Sequence, residues 1–87
     1  MKLNTQNLVD LFDNADKARE TFKSWRFGQS VFNAGNKLFP EIFDSIRGLQ
    51  CDPFYNNENV PKMVERLFDD DAVQYYFENI HYGDLKQ

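Results

Sequence analysis

The stretch SWRFGQSVFNAGNKL, Ser24 to Leu38, decides the fold. At about 100° per residue, Phe27, Val31, Ala34 and Leu38 fall on one apolar stripe. Trp25 and Phe32 form a second stripe on the far side of a wide arc, with Gly28 and Gly35 between them. Arg26, Gln29, Ser30, Asn33 and Lys37 share the remaining, polar face. An apolar arc of about half the circumference with small residues at its centre suits a central helix held closely by two neighbours. Each glycine costs up to about 1 kcal/mol of helix propensity relative to alanine, so its place on the packing side predicts close backbone approach. A helix break near Gly35-Asn36 is the alternative, and at its other end the helix is open to being continuous with the segment before it.

Outward from this helix the punctuation stays helical. On the N-terminal side Asn4 and Thr5 are capping residues for a segment in which Leu8, Leu11 and Phe12 recur at helical spacing. Asp13-Asn14 predicts an interruption and a second start, with Asp16 in its first turn and Ala18, Phe22 and Trp25 at i, i+4 and i+7. On the C-terminal side Pro40 opens a short helix whose Ile42, Phe43 and Ile46 face inward and which Gly48 ends. Residues 49–59, LQCDPFYNNEN, have no period, and Pro53 keeps Asp52 out of helical geometry. Leu49, Phe54 and Tyr55 are too apolar for an idle solvent loop, so this segment is expected to lie pinned across the helices. Asn59 and Pro61 start the next helix, with Val60, Val64, Leu67 and Phe68 inside, and Asp69-Asp70-Asp71 separates it from a last one. There Val73, Tyr76, Phe77 and Ile80 make the inner face, Gly83 is the stop, and residues 84–87 are expected to fray. The prediction is an all-α bundle of five or six short helices, one domain over residues 1–87, around Phe22, Phe32, Phe43, Phe68 and Phe77.

Composition narrows the function classes. With 87 residues there is room for one core, and nine Phe, four Tyr and one Trp must supply most of its burial. The mean hydropathy of −0.68 sets these anchors in a strongly polar remainder. A single cysteine, Cys51, has no second thiol to pair with, and no run approaches the roughly 20 apolar residues that span a bilayer. The opening MKLNTQNLVD is too polar for a signal peptide, so a cytoplasmic protein is expected. The net charge of −4 opposes general affinity for nucleic acid. The C-terminal half is the acidic one, with nine Asp/Glu against four Lys/Arg over residues 44–87 and five against six over residues 1–43.

Reactive groups are scarce, and no catalytic residue, metal site or cofactor is expected. The single His81 lies near a predicted helix end, where an imidazolium complements the dipole, and Cys51 reads as a small apolar filler. Asp69-Asp70-Asp71 lacks the alternating ligands of a calcium loop and reads as solvated capping residues. Lys17, Arg19, Lys23 and Arg26, with Trp25 among them, make the only stretch resembling a nucleic-acid surface, though Asp16 and Glu20 are interleaved at ion-pair spacing.

The residues Arg26, Gly28, Gln29, Phe32 and Asn33, then Arg47-Gly48 and Asp52-Pro53-Phe54-Tyr55, follow an R-x-G-Q-x-x-F-N and R-G-x-x-x-D-P-F-Y pattern. In this the chain resembles small uncharacterised proteins of phages and mobile elements, over about Trp25 to Phe68. The resemblance brings no known activity. It implies a setting, the cytoplasm of a phage-infected bacterium, in which many small proteins bind and block a host enzyme or defence complex, anti-CRISPR proteins among them. Without a family, Arg47 reads as a cation bonding helix-terminal carbonyls, Asp52 as an Asx turn before Pro53, and Phe54 as a staple of loop to core.

The function expected is protein-protein binding, with a small nucleic-acid-binding regulator using the Lys17–Arg26 face as the alternative. The expected partner surface is Arg26, Gln29, Ser30, Asn33 and Lys37 with the loop tip Tyr55, Asn56 and Asn57. The competing surface is acidic, from Glu58, Glu65, Asp69, Asp70 and Asp71.

Overall fold

A computed structural model of the chain describes residues 2–81. Five α-helices follow one another: α1 (Thr5–Thr21), α2 (Phe27–Leu38), α3 (Pro40–Asp44), α4 (Val60–Leu67) and α5 (Asp70–Asn79), with a 3-10 turn at Asn57–Asn59 before α4. The protein is all-α; among the described residues the one departure is an isolated parallel bridge between Leu3 and Phe68.

The N-terminal helix begins on a reciprocal cap. Asn7 donates its backbone N–H to Asn4 Oδ1 at 2.8 Å, and Asn4 donates its own to Asn7 Oδ1 at 2.9 Å. From there α1 runs unbroken through Asp13 and Asn14, against the interruption expected from sequence. Leu8, Leu11, Phe12 and Ala15 are buried and Ala18 half-buried, so one continuous apolar stripe crosses the two polar residues, and packing outweighs their weak helix propensity. The break falls instead at residues 22–26, where Trp25 N–H donates to Phe22 O at 3.0 Å and closes a tight turn.

The central helix is α2, and α1, α3 and the 3-10 turn all pack against it. The apolar arc is as wide as its sequence predicts, with Phe27, Val31, Phe32 and Ala34 all buried. Its two glycines receive different neighbours. A Cβ on Gly35 would run into the Phe43 ring of α3, and one on Gly28 would run into the carbonyl of Pro53. Close approach is thus the reason for both, and α2 continues past Gly35-Asn36 to Leu38. Ser30 is a correction: it is fully buried rather than on the polar face, and its hydroxyl donates to Phe27 O at 2.6 Å. That back-bond satisfies the hydroxyl, which lets a small polar residue sit inside the arc.

Pro40 opens α3 at its first turn, as expected, and Gly48 adopts φ 79° after the turn that follows. Val60, Val64, Leu67 and Phe68 are all buried, as predicted for α4. Asp69 caps α5, accepting from Ala72 N–H at 2.9 Å. Between α4 and α5 the chain extends just enough to pair with the N-terminal segment: Leu3 N–H donates to Leu67 O at 2.9 Å, and Asp69 N–H to Leu3 O at 2.8 Å.

The core joins Phe12, Phe27, Phe32, Phe43, Phe68 and Tyr76 to the aliphatic residues of all five helices. Of the five phenylalanines expected at its centre, Phe32, Phe43 and Phe68 are buried. Phe22 and Phe77 are not, at 49% and 40% exposed. Phe22 lies beyond the end of α1, where it stacks on Trp25 instead of entering the core. On α5 the buried positions are Ala72 and Tyr76, one turn apart, with Val73 and Ile80 half-buried. Phe77 sits at the rim of that face and packs edge-on to His81. Gly83 and residues 84–87 lie outside the described residues.

Candidate functional site

The loop between α3 and α4 is built around Asp52. Its backbone is held by Asp52 N–H to Leu49 O at 3.0 Å. Its carboxylate accepts two backbone N–H groups, from Gly48 at 2.7 Å on Oδ2 and from Phe54 at 2.9 Å on Oδ1, the second being the Asx turn expected before Pro53. Asn59 Nδ2 then donates to Asp52 O at 3.0 Å. Cys51, Asp52 and Pro53 are buried and Phe54 half-buried, so this segment does lie pinned across the helices. Two of the three expected pins do not contribute, because Leu49 and Tyr55 are 45% and 81% exposed.

The opposite side of the seam is the first turn of α2. Gly28 N–H, one of the donors a helix N-terminus leaves free, donates to Asn57 Oδ1 at 2.7 Å. Arg26 reaches across with its guanidinium to Phe54 O at 2.9 Å, and Gln29 Oε1 accepts from Arg26 N–H at 3.4 Å. Phe32 meets Phe43 and Phe54 edge-on at 6.0 and 5.9 Å. The Arg47 guanidinium lies 5.1 Å from the centre of the Phe32 ring and bonds Asp44 at 2.8 Å, so it serves a ring and a carboxylate rather than helix-terminal carbonyls. Both halves of the R-x-G-Q and R-G-x-x-x-D-P-F-Y pattern therefore meet at one place.

That place holds Tyr55 out to solvent. Its ring stands edge-on to Phe54 at 4.7 Å, beside an open cleft of about 210 Å³ lined by Phe32, Arg47, Gly48, Asp52, Phe54 and Tyr55. Asn56 Oδ1 accepts from Glu58 N–H at 2.9 Å, which fixes the chain just after Tyr55. The structure thus divides the eight residues expected to form one partner surface. Arg26, Tyr55 and Asn56 gather at the loop. Asn57 and Gln29 are half-buried in the seam that supports it, and Ser30 is inside. Asn33 and Lys37 line a different groove of about 180 Å³ between α1 and α2, with Asn14, Ala18, Phe22, Trp25 and Ala34.

The basic stretch does not form one helix face, since α1 ends at Thr21 and Arg26 lies beyond the turn. Arg19 is turned over the Phe27 ring at 5.5 Å, and Arg26 is engaged on Phe54 O. Of the acidic residues, Glu58, Glu65, Asp70 and Asp71 are exposed on three successive elements, while Asp69 is used as a cap. Partial burial is the main cause that raises the Asp16 carboxyl above its ordinary value, helped by Asp13 and Glu20 and opposed by Arg19. Hydrogen bonds from Arg47 and then Asn36 hold Asp44 below it. His81 Nδ1 lies 3.3 Å from the Tyr76 hydroxyl. Among the described residues no three His, Cys, Asp or Glu side chains gather in a way that would hold a metal ion, and no helix is long and apolar enough to cross a membrane.

Fold and surface together define a small all-α protein with an exposed aromatic loop braced on a central helix. No protein-family model, curated protein or solved structure matches the chain.

Proposed function

We propose that the protein acts by binding another protein through the Tyr55 loop, with Arg26, Arg47 and Asn56 around it. One observation carries this reading: Tyr55 is 81% exposed on a loop whose neighbours on both sides are fixed by hydrogen bonds. An exposed tyrosine is a common hot-spot residue, arginine another, and a loop already rigid before binding loses little entropy on complex formation. The resemblance to phage proteins supports a host enzyme or defence complex as the partner and blockade as the result. The loop geometry supports the binding role by itself.

The test is capture from a bacterial lysate on immobilised protein, followed by identification and a measured affinity for the captured partner. Tyr55→Ala is expected to weaken binding by about 2 kcal/mol or more while leaving the melting temperature unchanged. Full affinity in Tyr55→Ala, with binding lost on neutralising Asp70 and Asp71, would move the interface to the acidic helix start.

A further inference from the structure

The groove between α1 and α2 lies apart from the Tyr55 surface and has a composition of its own. Its wall is the Phe22–Trp25 pair, stacked at 4.4 Å between centroids and 15° between planes. The turn that closes on Trp25 N–H and Phe22 O fixes this pair. Its small side chains are Ala18 and Ala34, and its polar groups are Asn14, Asn33 and Lys37. A chain that depends on aromatic residues for its core leaves Phe22 half in solvent here.

An aromatic wall alone would accept any apolar side chain; the polar groups are what select. The Asn33 carboxamide donates and accepts in one plane, and Asn14, whose Nδ2 donates to Asp10 O at 3.5 Å, offers its Oδ1 as an acceptor. Together they suit the edge of a heteroaromatic ring, while a single ammonium suits one anionic group. The volume of about 180 Å³ is below the roughly 300–1,000 Å³ of drug-sized sites, so one planar ring system is what the groove can seat. Charge decides between a monomer and a polymer. Among the described residues Lys37 is the one cation lining the groove, Arg19 and Arg26 being held on Phe27 and Phe54, and the whole chain carries −4, so one phosphate is matched while an extended polyanion is repelled.

We propose that this groove binds a single nucleotide, its base stacked on the Phe22–Trp25 pair, its base edge on Asn14 and Asn33, and its phosphate on Lys37. This proposal does not depend on the Tyr55 reading, and Tyr55→Ala is expected to leave it intact.

Trp25 is the only tryptophan, so intrinsic fluorescence reports on the groove directly. The probes are adenosine monophosphate, adenosine, an oligodeoxyadenylate of eight nucleotides, and an acidic leucine-containing peptide. The nucleotide is expected to quench Trp25 saturably with a Kd of about 1 mM or tighter. Lys37→Glu, or removal of the phosphate in adenosine, should weaken binding about tenfold or more. Phe22→Leu, which keeps an apolar side chain at a half-exposed position, should weaken stacking with an unchanged melting curve. Absence of saturable quenching by the nucleotide overturns the proposal, as does equal affinity in Lys37→Glu. An oligonucleotide that binds far tighter than the monomer would make the groove a single-strand site, and response to the peptide alone would make it a protein-docking site.

Discussion

Gly28→Ala tests the seam on which the functional loop depends. The added methyl would meet the carbonyl oxygen of Pro53, with Asn57 Oδ1 and Asn57 Cα at 3.1 and 3.2 Å beyond it. The first of these obstacles is backbone, within a segment that Asp52, Asn57 and Arg26 all hold down. It cannot rotate aside as a flexible side chain would. Overpacking of this kind costs about 1–3 kcal/mol. Displacing the loop also strains the bond from Gly28 N–H to Asn57, worth about 1 kcal/mol. Against these stands at most about 1 kcal/mol of helix propensity gained by alanine, and less in a first turn. The net expectation is a loss of about 1–3 kcal/mol, from a total of roughly 4–13 kcal/mol for a chain of this length.

Urea unfolding followed by far-UV circular dichroism reads this directly. The midpoint should fall with the m-value unchanged, and the melting temperature should drop by roughly 5–20 °C. Gly48→Ala is the control: nothing lies within 4 Å of its added methyl, and φ 79° leaves only a backbone penalty of about 1–2 kcal/mol. If Gly28→Ala is as stable as the parent, or more stable, propensity has won, and the loop is not seated on α2 in the way described.

Phe32→Ala should cost about 3–5 kcal/mol and largely unfold the protein at 37 °C, because Phe32 is 2% exposed and contacts two rings and a guanidinium; a parent-like thermal melt would refute its burial. Asp52→Ala leaves the Gly48 and Phe54 N–H donors without their acceptor and should cost about 2–4 kcal/mol, whereas Leu49→Ala on the same loop should stay within about 0.5 kcal/mol by chemical denaturation. Asp44 and Asp16 should give pH dependences of opposite sign. The Asp44 carboxyl is held low, so its contribution is present above the ordinary carboxylate range and is lost as the pH falls through its folded value; Asp44→Asn should lower the neutral melting temperature and make no difference in strong acid. The Asp16 carboxyl is held high, so the folded state gains relative stability as the pH falls through its raised value; Asp16→Asn should raise the melting temperature at neutral pH, and a decrease there would contradict the stated cause.

Much of this architecture is legible in the chain because local and tertiary signals agree. The arc of α2, the proline starts of α3 and α4, and Asp69 as a cap all follow from period and punctuation. The failures have one form: a local signal met a tertiary contact it does not encode. Asp13-Asn14 has a turn composition, yet Leu8, Leu11, Phe12 and Ala15 on the buried face carry α1 across it. Ser30 is polar, but a hydroxyl that bonds a carbonyl three residues back does not need water. Phe22 has helical spacing with Ala18, and the chain turns just before that spacing would bring it inside. The pairing of Leu3 with Leu67 and Asp69 joins segments more than 60 residues apart, and neither stretch has the alternation that announces a strand.

The candidate site shows the same division with a different consequence. Asn57 and Tyr55 are near neighbours in a polar loop and look alike as candidates for a partner surface. The structure separates them, because Asn57 is spent on Gly28 N–H while Tyr55 points away from the seam. Sequence alone has no means to tell these apart, since the distinction depends on where the first turn of α2 sits. A signal does exist in the pairing of glycine with loop. Gly28 forfeits helix propensity, if less in a first turn than in an interior, unless something must lie against it, and the pinned D-P-F-Y segment, apolar without a period, is what needs such a floor. Taken together, these two anomalies make Gly28 and Gly35 the two candidate floors, and the structure seats the loop on Gly28 and the Phe43 ring on Gly35. Once the loop is there, Asp52, Asn56 and Asn57 have backbone donors to satisfy and Tyr55 has none of that work. The residue left over after the scaffold is satisfied is then the one to test for binding.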